Sequence, residues 1–365
     1  MAGENFFLEA FHKADKSEWQ RVASSEIQGD NPLEALQWHT PEGLSFKPYY
    51  DRSDLASLSY LEKFNFPDAS SEYTHARAWQ NIPPVTVREE GAANAMALEH
   101  LKNEADGILF LIEKTDLNFN KLLDHIEWEY CSISFIIHAD FPLADLSAYI
   151  QKKYPNKSVS GTLFWQDSTQ AQALPETWAG LKSFGIYIKS ASPTEEIADA
   201  LTQAVKLTYR FQEKGLSTES ILKNISFSIP SGNNFLLQAS KLKALRMLWY
   251  QVMRAFKITT AQPEDLHIHT RSEAWIQNAY QPHGNLLSNT ISTMAAIAGG
   301  CNAHTAYPEH ESETMMSRIA RNTSFVLRDE AYFGKVADPF AGSYAIENMV
   351  HELAKAAWEE LGKRC

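Results

Sequence analysis

Two histidines, His267 and His269 in the segment LHIHT, are the residues whose type and spacing most directly suggest chemistry. Residues two apart on a β-strand point to the same face, so these imidazoles could share a divalent metal ion. A metal-dependent hydrolase would follow from such a site. The ion would also need ligands from other strands, and His138, Asp167 and His304 form no evident set. The competing interpretation is a histidine that points into the fold and is hydrogen-bonded there.

Eight short apolar or β-branched runs, separated by helical patterns, begin at about residue 79. The runs are 80–87, 107–113, 131–138, 161–166, 184–189, 224–229, 266–270 and 301–305. Eight strands with a helix after each predict a parallel α/β sheet that closes on itself, so we expect a (β/α)₈ TIM barrel with an N-terminal extension. Ser192 and Glu195, with Pro193 between them, predict a capping box at the start of one helix, and Gly215 is placed to end it.

The carboxyl ends of the strands are where a βα barrel carries its chemistry. At these ends the sequence places Glu113, His138, Asp167, Lys189, Ser190, Ser231, His269, Arg271, His304 and Tyr307. The histidine pair lies on the seventh predicted strand. A barrel would therefore bring His269 and Arg271 towards this end of the sheet.

Composition and charge exclude several classes of protein. The 365 residues include 33 Lys and Arg against 45 Asp and Glu, and a net charge of -12 disfavours a phosphate-coating nucleic-acid surface. Three cysteines without a CxxC spacing favour a reducing compartment. We see no apolar run of membrane-spanning length and no apolar leader, so we expect a cytoplasmic protein with neither nucleic-acid nor membrane partners.

The chain is predicted to have three parts. Residues 1–75 are rich in aromatic and polar residues interrupted by prolines, and we expect an arm that packs on the barrel or on a partner chain. Residues 76–345 form the predicted barrel. Residues 346–365 form a last helix, which would lead towards a further domain that we expect this chain to lack.

Several long segments of the carboxy-terminal third resemble one enzyme family. They are KLKALRMLW (241–249), HIHTRSEAW (267–275), TMAAIAGG (293–300), MSRIARNTSFVLRDE (316–330) and VADPFAGSYAIE (336–347). Together, and in this order, they are similar to methylmalonyl-CoA mutase, clearly over residues 220–360 and weakly over the rest of the barrel. The resemblance implies a barrel that threads a CoA ester along its axis. It also implies a separate carboxy-terminal domain whose adenosylcobalamin starts the radical rearrangement of methylmalonyl-CoA to succinyl-CoA.

This sequence departs from the catalytic members of the family at the strand ends. His269 matches a family active-site position, but Arg271 stands where the family has glutamine, and the family's Gly-Tyr-His turn is replaced by the residues SASP at 190–193. Asn285 and Trp79 are kept. We therefore name His269 and Arg271 as candidate catalytic residues and Asn285 and Trp79 as candidate substrate-binding residues, with no residue for a cofactor or a metal.

The resemblance is greatest to the small subunit of heterodimeric mutases. It implies a non-catalytic scaffold that binds no cofactor itself and pairs with a catalytic large subunit carrying adenosylcobalamin. Whether the barrel also binds an acyl-CoA stays open. Two alternatives remain at this point: a catalytic mutase barrel that needs a separate cobalamin domain, and a metal-dependent barrel hydrolase built on His267 and His269.

Overall fold

The computed structural model describes residues 15–27, 32–41, 43–62, 77–138, 140–174, 178, 180–272, 284–310 and 313–364. Before the main sheet, these residues form two helices, a two-stranded antiparallel hairpin and two 3₁₀ turns. These elements are α1 (Lys16–Glu26), α2 (Pro32–Ala35), β1 (Trp38–His39), β2 (Ser45–Phe46) and the turns Arg52–Leu55 and Ser59–Glu62.

The main sheet contains nine parallel strand segments in the order β3-β11-β10-β9-β8-β7-β6-β5-β4. They are β3 (Gln80–Asn81), β4 (Pro84–Val87), β5 (Gly107–Ile112), β6 (Ser132–Ile137), β7 (Gly161–Trp165), β8 (Leu181–Tyr187), β9 (Ile225–Ser231), β10 (His267–Ser272) and β11 (Ala303–Thr305). The two ends of this order, β3 and β4, belong to one run, 80–87, which bonds to β11 on one side and to β5 on the other. The sheet therefore closes with eight chain runs, and the predicted (β/α)₈ fold is confirmed.

The fifth predicted strand begins three residues earlier than its apolar run suggested. The run was expected at 184–189, whereas β8 spans Leu181–Tyr187 because Leu181 and Lys182 pair with Gly161 and Thr162 of β7. Because Lys182 and Ser183 are polar, the start of β8 could not be recognised from a run of hydrophobic residues. Pairing with the neighbouring strand decided the boundary.

The helices that follow the strands cover the outside of the barrel. They are α3 (Glu90–Lys102), α4 (Phe119–Leu122), α5 (Leu143–Lys153), α6 (Pro193–Glu213), α7 (Thr218–Asn224), α8 (Phe235–Ala255), α9 (Gly284–Ala298), α10 (Thr314–Phe325) with a π-helical turn at Val326–Glu330, and α11 (Tyr344–Arg364). A further 3₁₀ turn occupies Pro263–Asp265. Within the described residues no helix is long and apolar enough to cross a membrane.

The expectation of a helix after every strand is wrong at β7. Between β7 and β8, the described residues hold only the 3₁₀ turn Ser168–Gln170. Asp167 starts this turn by accepting the N–H of Thr169, and Ala171 leaves it in an extended conformation with ψ 141°. Within the described part of this connection, no helix covers the adjacent flank of α6. The predicted capping box is confirmed, since Ser192 and Glu195 bond reciprocally at the start of α6.

The core has two layers. The larger layer lies between the sheet and the helices. The smaller layer fills the inside of the barrel with Ile82, Leu109, Ile136, Phe164 and Ala303. Large side chains thus occupy the barrel axis, as they do in a packed core rather than in an open pore.

The last helix and the described part of the arm lie against each other. α11 packs on α6 and α8, and its contacts with the turn Arg52–Leu55 reach the arm. The Tyr60 hydroxyl donates to the carboxylate of Glu347 at 2.9 Å, and the Asn348 amide donates to the Asp54 carbonyl at 3.4 Å. This part of the arm is therefore packed on its own chain.

Candidate functional site

His269 lies inside the barrel and is completely buried. Its Nδ1 is hydrogen-bonded to the Ser228 hydroxyl on β9 and its Nε2 to the Thr305 hydroxyl on β11, both at 2.9 Å. The imidazole also lies against the Phe164 ring, with 5.0 Å between the centroids. Burial, followed by the nearby Arg271 cation, lowers the pKa of His269 well below 6.5. The ring is therefore neutral at physiological pH and is held by two hydroxyls.

Arg271 closes the carboxyl end of the barrel interior on the side of β8 and β9. Its guanidinium donates to the Ser228 carbonyl at 2.8 Å and to the Ile188 carbonyl, and its Cζ lies 3.8 Å from the centre of the Tyr187 ring. The side chain is 1% exposed. Since backbone carbonyls and an aromatic face satisfy the cation, Arg271 is fixed in place rather than free to sample the mouth of the barrel.

The two histidines of the HIH segment do not converge on a common ligand. His267 bonds through Nδ1 to the Ser226 hydroxyl at 2.8 Å, so each histidine is paired with a different serine of β9. Burial, with Lys182 and Arg246 nearby, lowers the pKa of His267 to about 3. Among the described residues, no group of three His, Cys, Asp or Glu side chains could hold a metal ion. This part of the chain gives the metal-site hypothesis no support.

His304 lies on the other face of the sheet from His269. The register pairs Thr270 with His304, and the histidine bonds to the Thr270 hydroxyl at 2.9 Å and to the Thr293 hydroxyl of α9 at 3.0 Å. Burial lowers the pKa of His304 to about 3. Although the sequence places His304 at a strand end, its side chain belongs to the layer between sheet and helix.

The structure does not bring together the two candidate substrate-binding residues. Trp79 precedes β3 at the amino end of the barrel, where it lines a cavity of about 500 Å³ and lies 5.1 Å from the guanidinium of Arg328. Asn285 is the second residue of α9, which follows β10, and its amide lies 3.4 Å from a carboxylate oxygen of Glu309. The two side chains thus lie at opposite ends of the strands.

A buried ion pair near the carboxyl ends of the strands was not predicted from the sequence. The Lys241 Nζ lies 2.6 Å from Oε2 of Glu196 and donates to the Pro230 carbonyl at 2.7 Å, and both charged side chains are almost fully buried. Lysines among the apolar residues of the helical segment KLKALRMLW were the available signal. A charged residue in such a segment needs a partner when the helix is buried.

Comparison with known proteins decides which family this barrel belongs to. A family model described as methylmalonyl-CoA mutase matches residues 178–363, which is half of the chain. The chain belongs to the methylmalonyl-CoA mutase family. Its similarity to individual members is modest in identity but extends over nearly the whole chain.

Members of the mutase family with different subunit names resemble this chain. The "Methylmalonyl-CoA mutase small subunit" of Porphyromonas gingivalis is 27% identical over 98% of this chain and 63% of that protein. The "Methylmalonyl-CoA mutase large subunit" of Streptomyces virginiae is 24% identical over 94% of this chain and 56% of that protein. The mitochondrial methylmalonyl-CoA mutase of Homo sapiens is 26% identical over 93% and 54%. This chain therefore spans somewhat more than half the length of these mutases.

The segments DPFAGSY and RIARN, which carry the mutase resemblance, contact helices and strands of the barrel. Asp338 of the DPFAGSY segment lies 2.9 Å from the Nζ of Lys243, which also contacts Glu347 at 3.0 Å. In the RIARN segment, Arg321 bonds to His100, and its carbonyl accepts the Asn81 amide at 2.9 Å. In this chain, the contacts of these motifs are those of a buried structural network.

The resemblance to the mutases implies an adenosylcobalamin whose cobalt is ligated by a histidine. In His269 and in His304 both ring nitrogens are already hydrogen-bonded to hydroxyls. A neutral imidazole with one nitrogen donating and the other accepting has no lone pair left for a metal. These two buried histidines therefore do not fit that role.

We expect the barrel to lose stability in mild acid because of its buried histidines. The unfolded chain takes up these protons near pH 6.5, whereas burial keeps His269 and His304 neutral to a much lower pH. The contribution of these histidines to the free energy of unfolding is thus complete above the pKa that they have in the unfolded chain. It falls with decreasing pH by about 1.4 kcal/mol per pH unit for each histidine.

Urea unfolding of the unmodified chain and of the variant His304→Asn, compared between neutral pH and about pH 5, measures this effect. The variant has one such histidine fewer, so below the unfolded pKa its free energy of unfolding should decline less steeply, by up to about 1.4 kcal/mol per pH unit. Any constant loss of stability in the variant cancels in this comparison of slopes. Equal slopes would show that His304 titrates normally in the folded protein.

Proposed function

We propose that this chain is a non-catalytic barrel subunit of a methylmalonyl-CoA mutase. In this proposal it pairs with a catalytic large subunit that carries adenosylcobalamin and converts methylmalonyl-CoA to succinyl-CoA. The position of Arg271 is the observation that carries the proposal. A substrate entering along the axis would have to displace a buried guanidinium from two carbonyls and an aromatic ring. Leaving such groups unpaired is costly.

The turn after β8 supports the same conclusion. Where the catalytic members are expected to carry a histidine, this chain has the residues SASP at 190–193. Ser192 is the N-cap of α6, and its hydroxyl is hydrogen-bonded to Glu195 at 2.7 Å. This position therefore stabilises a helix, and the segment has no imidazole that could act as a general acid towards a thioester carbonyl.

The relatives include a mutase small subunit and a mutase large subunit, and these two kinds of subunit favour a pairing of unequal chains. A barrel without chemistry of its own can still contribute to such an enzyme, because a large interface stabilises both partners. We place the assembly in the cytoplasm, since Cys131 and Cys301 are free thiols and a reducing compartment keeps them so.

Co-expression with a mutase large subunit tests the proposal. We expect the two chains to co-purify as a complex that turns over methylmalonyl-CoA with adenosylcobalamin, whereas this chain with the cofactor has no activity. The variant His269→Gln in this chain should leave the kcat of the complex unchanged, because its barrel carries no reaction step. Its circular dichroism spectrum and elution with the large subunit serve as controls for folding.

Turnover by this chain with adenosylcobalamin, and with no other mutase chain present, would refute the proposal. Turnover that appears only after addition of a free cobalamin-binding domain would instead support the catalytic-fragment alternative. A loss of kcat in the correctly assembled His269→Gln complex would show that this barrel takes part in the reaction.

A further inference from the structure

A cleft of about 590 Å³ lies beside the barrel, between α6 and the 3₁₀ turn Ser168–Gln170. Residues that follow β7 and β8, among them Gln166 and Lys189, line it together with α6. The cleft occupies the space beside α6 where the described residues provide no helix between these two strands. It is therefore outside the barrel axis, and its volume is typical of a site for a small molecule.

Three cations line this cleft. Lys189 follows β8, and Lys206 and Arg210 are four residues apart on one face of α6. Within the part of the chain that the structure describes, neither lysine has an ion-pair partner. Arg210 donates to the carbonyls of Thr169 and Ala171, and its Nε is buried without a hydrogen bond. None of the three charges is thus matched by a contacting carboxylate in the described residues.

The two acidic residues of the cleft are already engaged. Oδ1 of Asp167 accepts the N–H of Thr169 at 2.9 Å and its hydroxyl at 2.7 Å. Asp199 accepts the Gln203 amide at 2.8 Å and lies 3.9 Å from the guanidinium of Arg364, which approaches from α11. The bonds from Thr169, and then the charges of Arg210 and Lys189, lower the pKa of Asp167. The cleft therefore has an excess of positive charge.

This concentration of cations occurs in a chain whose net charge is -12. Lysine ammonium groups are compact donors that suit phosphate oxygens. Leu207 and Tyr187 also line the cleft, in which the organic part of a ligand could lie. We propose that this cleft binds a phosphate-bearing small molecule, with Lys189 and Lys206 contacting the phosphate and Arg210 forming the outer wall.

Isothermal titration of the purified full chain with inorganic pyrophosphate and, separately, with ADP tests this site. Saturable binding of at least one probe is expected, weakening as salt is added. The double variant Lys189→Met with Lys206→Met should raise the Kd of the bound probe by at least about tenfold, since each charged hydrogen bond contributes to binding. If only ADP binds, the organic part of the ligand contributes as well, and the phosphate contact is still supported by the loss in the double variant.

Two matched variants make the outcome decisive. Lys355→Met removes the same charge from an exposed position on α11 outside the cleft and should leave the Kd unchanged. The double substitution to arginine at positions 189 and 206 keeps both charges and should retain binding. Both lysines are exposed, so the variants should fold normally. The site is refuted if neither probe gives saturable heat, or if the double methionine variant binds as the unmodified chain does.

Discussion

Replacing Lys241 by methionine is expected to destabilise the chain by about 3–5 kcal/mol, because the change leaves the Glu196 carboxylate buried without its cation. The pair is 1% and 4% exposed, so water cannot take the place of the missing ammonium. The Pro230 carbonyl would lose its donor at the same time. Equilibrium unfolding in urea, followed by circular dichroism, gives this difference from the midpoint and slope.

The pH dependence and a double variant separate charge burial from a loss of packing. Burial raises the pKa of Glu196, and Lys241 opposes this rise. Without Lys241, the carboxyl is held protonated in the folded state, and stability is lost as pH rises from the unfolded pKa towards the folded one. The variant should therefore be more stable in mild acid than at neutral pH, relative to the unmodified chain.

Adding Glu196→Gln to Lys241→Met should recover most of the lost stability, because the buried charge is then absent and the amide can still accept the Ala191 N–H. A double variant as unstable as the single one would contradict this account. It would indicate that the variant is destabilised by lost packing around the aliphatic part of Lys241 on α8 rather than by the loss of its charge.

Gly161→Ala is expected to cost about 3 kcal/mol or more, through steric overlap at the start of β7. A Cβ at this position would lie 1.8 Å from the Ile133 carbonyl oxygen, which belongs to the backbone of the neighbouring strand and cannot turn aside. The residue also has φ +146°, where side chains other than glycine are strained. Thermal and urea unfolding of the variant measure the loss.

Gly362→Ala provides the matched control. This glycine lies near the end of α11, is exposed, and would bring its new Cβ within 4 Å of no other atom. The same substitution there should be neutral or should stabilise by up to about 1 kcal/mol, since alanine has the higher helix propensity. Similar effects of the two substitutions would contradict a steric role for Gly161.

The alternation of strands and helices could be predicted from the sequence because it is a local property of the chain. Buried parallel strands are continuous apolar runs, and GILFLI and SISFII appear as such in β5 and β6. The start of α6 could also be predicted, because a capping box depends on residues only three positions apart. That the described residues between β7 and β8 form only a 3₁₀ turn could not be predicted, since this stretch has no clear periodic pattern.

The candidate site was predicted by residue type but not by environment. Arg271 was named from its position at a strand end, yet its partners, the carbonyls of Ser228 and Ile188, come from two other strands. Likewise, the neutrality of His269 depends on burial and on hydroxyls contributed by β9 and β11. Such contacts join residues tens of positions apart, and no local pattern encodes them.

The closed barrel and the membership of the mutase family could be predicted from the chain alone, because strand number, hydrophobic pattern and long ordered motifs are local features of the sequence. The folded molecule was needed to show that the two histidines bind separate serines, that Arg271 is fixed across the barrel end, and that three cations line a cleft beside α6. Charge, burial and hydrogen-bond partners depend on which strands become neighbours, and closure of the sheet sets those neighbours.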